Sequence, residues 1–384
     1  MPKFIFRLPS EDNIKNSSNG GIMLHIIRTD YDEKFTVVTG CPGSGKTTVS
    51  IFRLIRLIEN GKATILLTFQ RMLKVAIENL LASRDISNPS SRVSTLHSWF
   101  PKNTNGKFLD VFGDDSKKLN SEEIIKLLEN KGLDKFELIL DEAQDLENRI
   151  FESFPKIFGR ITLGADDDQQ MKNGIGVNEY AIKKYLDSSL NEFDLQFNYR
   201  NTFQIYDFAR RFVPESKKAN DSKTLEHLKR YKNNGDLPQL LKFNSQNDMR
   251  VRLKKIIDDN ISGFNIGILF LYKEQVKDYY KVLQEMANGD CSMYYAEMTN
   301  QEKTIVENDL KSILITTFIS AKGMEFDLVI MPEFQSVKNT PEDKKKYYVG
   351  CTRAKSRLYI LHTGDTPTVL SNFPKETFDS GNLF

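Results

Sequence analysis

Lys46 and Thr47 carry the clearest chemistry in the chain, closing the run Gly40-Cys41-Pro42-Gly43-Ser44-Gly45-Lys46-Thr47. A G-x-x-x-x-G-K-T run between an apolar β-branched stretch (Phe35–Thr39) and a helical one turns backbone N–H groups inward around an anion. The helix N-terminus adds partial positive charge. Lys46 then reaches the β- and γ-phosphates of a nucleoside triphosphate, and the Thr47 hydroxyl ligates magnesium. Gly40, Gly43, Ser44, Gly45, Lys46, Thr47 and Thr48 are therefore the expected nucleotide contacts. A Gly-rich turn that merely joins strand to helix is the bland alternative, and the complete motif in context makes it the minor one.

Two further segments supply groups for hydrolysis. The apolar run Leu138-Ile139-Leu140 ends in Asp141-Glu142-Ala143-Gln144-Asp145, which delivers adjacent carboxylates at a strand end. Asp141 is the candidate on the magnesium side and Glu142 the general base toward water. Taken alone, the pair serves equally well as a helix cap. After Ile161-Thr162-Leu163 comes Gly164-Ala165-Asp166-Asp167-Asp168-Gln169-Gln170, where the amide of Gln169 can bond both a γ-phosphate oxygen and a water. A polar turn would suffice as the plain reading.

The elements that must position these groups are strands alternating with helices. Apolar β-branched runs occur at Phe35–Thr39, Thr64–Phe69, Phe136–Leu140, Ile161–Gly164, Ile266–Leu271, Ile313–Thr317, Asp327–Met331 and Leu358–Leu361. Between the first two, Lys46–Glu59 places Ile51, Leu54, Ile55 and Ile58 on one helical stripe. Such alternation implies mainly parallel sheets with helices on both faces, an α/β fold. Glu11–Gly21, Lys102–Asp115 and Lys217–Asp236, dense in Asn, Ser, Gly, Asp or Lys, are expected to be irregular. A length of 384 residues suits two domains, 1–191 and 192–384.

No apolar run approaches the roughly 18 residues of a membrane span, and the N-terminal apolar stretch is too short for a secretory signal. The three cysteines, Cys41, Cys291 and Cys351, form no CxxC pair, so neither a zinc site nor a disulfide framework is expected and the cytoplasm is the expected compartment. Net charge is only +2, so any nucleic-acid footprint is a local patch.

The ordered set GCPGSGKT, TFQRML, STLHSWF, DEAQD, DDDQQ, NYRNT, TTFISAKGMEFD and YYVGCTRAK, from Gly40 to Lys355, resembles the superfamily I DNA helicases of the UvrD, PcrA and Rep type. The resemblance implies two RecA-like P-loop domains with ATP in the cleft between them. It implies a magnesium-dependent ATPase stimulated by single-stranded DNA, with 3′ to 5′ polarity; the residues leave RNA open as the strand. At matching positions, Arg200 and Arg353 supply charge to the γ-phosphate, Tyr199 stacks on adenine and Glu325 meets the ribose. Thr68, Phe69, Thr95, His97, Thr317 and Lys322 fall at the family's nucleic-acid contacts. For any one of these, packing or a surface ion pair is the ordinary role, and Trp99 and Phe100 read as core.

The chain departs from the family on the nucleic-acid side. After Gln169, where an aromatic is expected to stack, the sequence places Gly174, and Ile319 stands where the family has a histidine. The large accessory insertions are missing between Ser98 and Glu137 and between Asn201 and Ser312, and no L-N-x-x-Q motif precedes Thr36. Two functions remain: a helicase-type ATPase, and a regulatory ATPase switch that unwinds little and works with a nuclease or other effector protein. A structural module with a dead ATP site is disfavoured by the complete hydrolytic set.

Overall fold

The computed structural model describes residues 4, 7–30, 33–106, 118–169, 182, 190–216, 221–232, 234–286 and 290–381. The chain divides into two compact units, Phe6–Phe197 and Asn198–Phe384, the second joined by the segment around Phe4. There the Phe4 N–H donates to the Leu310 carbonyl, and the Phe4 ring meets Phe326 edge-on. No helix among the described residues is long and apolar enough to cross a membrane.

The first unit holds strands β1 (Phe35–Gly40), β2 (Thr64–Thr68), β3 (Val93–Thr95), β4 (Glu137–Leu140), β5 (Arg160–Ala165) and β6 (Leu190–Leu195). They form one sheet in the order β3-β2-β4-β5-β1-β6, with every pairing parallel. Successive residues of a strand point to opposite faces, and both faces here are covered. Thus Leu138 and Leu140 join Phe151, Phe154 and Trp99 on one side, while Ile139 joins Ile51, Leu54, Leu73 and Ile77 on the other. This two-sided burial is why β4 reads as an unbroken apolar run. The helix Lys46–Glu59 has its expected bounds, and Trp99 and Phe100 are core.

The second unit repeats the plan with β7 (Gln239–Phe243), β8 (Ile266–Phe270), β9 (Cys291–Tyr294), β10 (Ile313–Thr317), β11 (Phe326–Met331) and β12 (Ala354–Thr363). Its order is β7-β12-β11-β8-β10-β9, again all parallel. The stretch from Asn201 to Ser312 is thus occupied by this sheet's own strands and helices.

Several expectations are corrected. The division between units lies at Phe197/Asn198 rather than 191/192, because β6 pairs with β1 from Phe35↔Leu190 to Gly40↔Leu195 and so completes the first sheet. Glu11–Gly21 contains the helix Glu11–Lys15 and the start of the helix Gly20–Arg28, the former capped by Ser10 and burying Ile14 beside Met23 and Ile26. Lys217–Asp236 contains the helix Ser222–Tyr231, capped by Asp221 and burying Thr224 and Leu228. Most of Lys102–Asp115 lies outside the described residues.

One buried ion pair ties the first unit together. Arg53, in the middle of the helix Lys46–Glu59, pairs with Glu137 at the start of β4 at 2.5 Å. Its guanidinium also donates to the Ile26 and Thr29 carbonyls at the end of the helix Gly20–Arg28, while the Thr162 hydroxyl donates to Glu137. Removing one charge strands the other, so Arg53→Met is expected to cost about 3–5 kcal/mol. Arg53→Met combined with Glu137→Leu should recover most of that loss. Denaturant melts of the three proteins check this; a single variant as stable as wild type would contradict it.

Candidate active site and nucleic-acid face

Strands β1, β5 and β4 are neighbours in the first sheet, so the segments following their C-terminal ends converge. In open parallel sheets that edge is where ligands bind. From β1 the loop turns through Gly43 and Gly45, whose φ values of 75° and 103° are left-handed, into the helix carrying Lys46 and Thr47. Lys46 is buried, and its ammonium donates to the Gly40 carbonyl at 2.7 Å, the Cys41 carbonyl at 3.1 Å and the Asp166 carboxylate at 3.2 Å. The Ser44 hydroxyl is buried without a hydrogen-bond partner among the described residues. Thr48 follows, half-buried.

From β4, Asp141 accepts the Thr47 hydroxyl at 2.9 Å, which brings together the two residues expected to hold magnesium. Burial, and next the neighbouring Glu142, push the Asp141 carboxyl above its ordinary value, while Thr47 and Lys46 act in the opposite sense. A divalent cation there would favour the ionised form. On β5 beneath, Gly164 leaves the space: a Cβ would sit 3.1 Å from the Asp141 Oδ1. The Thr47 hydroxyl and the Asp141 carboxylate are hard oxygen donors of the kind magnesium takes alongside phosphates and waters. The orphaned Ser44 hydroxyl and the inward loop likewise fit a triphosphate.

Glu142 adopts φ 61° and ψ 41°, a conformation that costs a non-glycine residue about 1–2 kcal/mol and is held here by the surrounding bonds. The Gln144 amide donates to the Glu142 carboxylate at 2.5 Å, and its oxygen accepts the Asp166 N–H at 3.0 Å. Asp166 in turn accepts the Gln169 amide at 2.7 Å and Lys46. Glu142, Gln144, Asp166, Gln169 and Lys46 thus form one continuous network. Gln144, Gly164 and Asp166 were not singled out from sequence; their only sequence signal was membership of DEAQD for Gln144, of DDDQQ for Asp166, and of the stretch leading into DDDQQ for Gly164. Gln170 and the segment with Gly174 lie outside the described residues.

In the second unit, Arg200 donates to Glu325 at 3.2 Å and to the Thr352 carbonyl, and Lys355 pairs with the other Glu325 oxygen at 2.5 Å. Burial alone would raise Glu325, but Arg200 and Lys355 hold it below its ordinary value. Arg353 is buried rather than a surface charge, donating to the Val349 and Met324 carbonyls and the Thr352 hydroxyl. Both arginines therefore converge on Thr352. Glu325 and Arg353 precede β11 and β12, next to a register shift between those strands at Phe326/Leu328. Asn198 and Asn201, fully buried and also unforeseen, brace the loop: Asn198 accepts the Arg200 and Asn201 N–H groups, and Asn201 donates to the Thr352 and Ala354 carbonyls. Tyr199 packs edge-on against His227 at 5.4 Å, and Lys232 donates to its carbonyl.

Of the nucleic-acid candidates, Thr95, His97 and Thr317 fall into two matching turns. Thr95 ends β3, accepts the Ser98 N–H at 3.1 Å and donates to its hydroxyl at 2.9 Å; Thr317 ends β10 and does the same with Ser320 at 3.2 and 3.0 Å. Exposed in these turns are His97 in the first unit and Ile319 in the second. Thr68 is buried and accepts the Gln70 N–H, Phe69 packs partly against the core, and Lys322 is buried.

Two family models match the chain, an AAA domain over residues 24–175 and a UvrD-like helicase C-terminal domain over residues 271–364. A putative ATP-dependent DNA helicase of Acanthamoeba polyphaga mimivirus is 25% identical over 378 residues, covering 86% of this chain and 52% of the relative. DNA helicase II of Rickettsia typhi is 26% identical over 224 residues, covering 53% of this chain and 32% of the relative. The chain spans about half, or less, of the length of these curated relatives. Among solved structures, S. cerevisiae Dbp5 bound to RNA and ADP with beryllium fluoride matches with a TM-score of 0.52 at 14% identity. That match covers 94% of this chain and 87% of the other, a likeness of fold.

Proposed function

Because the chain belongs to the superfamily I helicases of the UvrD/Rep type, we propose that it hydrolyses ATP with magnesium in response to single-stranded DNA, with 3′ to 5′ polarity. The observation that carries this is the network at the ends of β1, β4 and β5, where Lys46, the Thr47–Asp141 pair, Glu142 and Gln169 meet. In this reading the loop from Gly40 to Thr48 holds the triphosphate, and Lys46 exchanges its loop carbonyls for phosphate oxygens. Magnesium, held by Thr47 and Asp141, would neutralise phosphate charge. Glu142 accepts a proton from water, while Gln169 orients that water and, through Asp166, is joined to Lys46. Arg200 and Arg353 supply charge to the γ-phosphate, Tyr199 stacks on the base and Glu325 meets the ribose. Thr68, Phe69, Thr95, His97, Thr317 and Lys322 belong to the strand-binding path, and the cytoplasm is the compartment.

A second reading, a switch acting with a nuclease or other effector protein, is favoured by one observation. Ile319 stands exposed at the turn that matches the one bearing His97, so the second unit lacks the hydrogen-bonding group there. We expect ATP turnover to rise with single-stranded DNA while strand displacement on a partial duplex with a 3′ tail stays poor. Turnover indifferent to DNA contradicts the first reading. Efficient displacement by the protein alone, in step with ATP use, contradicts the second.

A further inference from the structure

The helix Ser222–Tyr231 and the residues that follow it pack against residues 198–203, the segment that carries Tyr199 and Arg200. Lys232, which ends the helix, makes two of the contacts. Its ammonium donates to the Tyr199 carbonyl, and its own carbonyl accepts the Phe203 N–H at 2.9 Å. Farther on, Gly235 passes so close to Thr202 that a Cβ there would stand 2.5 Å from the threonine side chain. With Asn198 accepting the Arg200 and Asn201 N–H groups, the backbone on both sides of Tyr199 is fixed.

The Tyr199 ring is braced separately. His227 meets it edge-on, with centroids 5.4 Å apart and planes at 81°, and Tyr231 stands 5.0 Å from His227. Residues four apart lie on one helix face, so the helix presents His227 and Tyr231 as a row leading to Tyr199. The Arg230 guanidinium covers the outer end, 5.3 Å from the Tyr231 centroid. Burial, and next the charge of Lys232, hold the His227 imidazole below its ordinary value, which favours the neutral ring. An edge-on pair of neutral rings is an arrangement that aromatic quadrupoles prefer.

This helix contributes little to the core, since only Thr224 and Leu228 are buried in it. Its remaining contacts with residues 198–203 converge on Tyr199, which is half-buried and so is braced without being enclosed. A tyrosine free to change rotamer loses that freedom when a ligand stacks on it. One already held in place does not, and the ligand binds more tightly for it.

We propose that His227 and Lys232 are positioning residues for the nucleobase: the helix Ser222–Tyr231 holds Tyr199, its backbone through Lys232 and its ring through His227, in the orientation that stacks on the base of the triphosphate. The proposal rests on the stacking role given to Tyr199 above. It places control of base affinity in a helix outside the ordered motifs, while the loop from Gly40 to Thr48 holds the triphosphate independently.

The test titrates AMP-PNP with magnesium, and separately tripolyphosphate with magnesium, a ligand without a base, into the full chain by calorimetry. His227→Ala should weaken AMP-PNP by about 3- to 10-fold, the scale of one lost aromatic pair, and leave tripolyphosphate within about twofold of wild type. Lys232→Met should show the same pattern. His227→Phe keeps a ring at the position and should restore AMP-PNP affinity, and Tyr199→Ala should lose about 10-fold or more on AMP-PNP alone. If Tyr199→Ala behaves so, then unchanged AMP-PNP affinity in His227→Ala, an equal loss on both ligands, or no recovery in His227→Phe overturns the bracing alone. Tyr199→Ala that binds AMP-PNP as wild type does overturns the stacking role as well, and wild-type protein that binds neither ligand overturns the nucleotide reading.

Discussion

Replacing Lys46 by alanine is expected to lower ATP turnover at least about 100-fold, the usual scale for removing one charged or hydrogen-bonding group from a developing anion. The ammonium is buried and already surrounded by the groups it would exchange for phosphate, the Gly40 and Cys41 carbonyls and Asp166. Its loss also leaves Asp166 fully buried without its cation, and breaking a buried pair destabilises by about 3–5 kcal/mol. Two effects are therefore superimposed. They separate if turnover is measured well below the variant's own melting temperature and ATP affinity is titrated on the same preparation. A folded variant with wild-type turnover would remove Lys46 from the site.

Glu142→Gln should behave differently, retaining ATP affinity within about threefold while turnover falls by roughly 10²- to 10⁴-fold. The amide is nearly isosteric, and its oxygen can still accept from the Gln144 side chain, so the left-handed turn keeps its support. What the amide cannot do is take a proton from water. The informative comparison is a nucleotide titration beside steady-state turnover. If both collapse together, Glu142 serves the geometry of the turn and through Gln144 that of Asp166, and another group accepts the proton.

The strands found from sequence are the inner ones. Those missed, β3, β6, β7 and β9, are the edges of the two sheets. An inner strand of a parallel sheet is buried on both faces and reads as an unbroken apolar run, as in Leu138-Ile139-Leu140. Of the edge strands, β3 is buried but only three residues long, whereas β6 is partly exposed and carries Asn191, Glu192 and Asp194, so it resembles a loop. That misreading placed the division between units too early. The helix Ser222–Tyr231 was missed for a related reason: only Thr224 and Leu228 are buried in a polar segment, too little for a stripe.

Sequence by itself determined the local chemistry: a strand–loop–helix that must turn N–H groups inward, a strand ending in two carboxylates, and a polar turn with Gln169. Adjacent residues fix such features, whatever the rest of the chain does. Which of them meet was decided only by the strand order β4-β5-β1, because parallel strands joined by long crossovers carry no record in sequence of their neighbours. Asp166, Asp167 and Asp168 read alike along the chain, yet only Asp166 is wholly buried against Lys46 and Gln169. Gly164 likewise gained its purpose when β5 passed beneath Asp141, where a Cβ would sit 3.1 Å from the carboxylate.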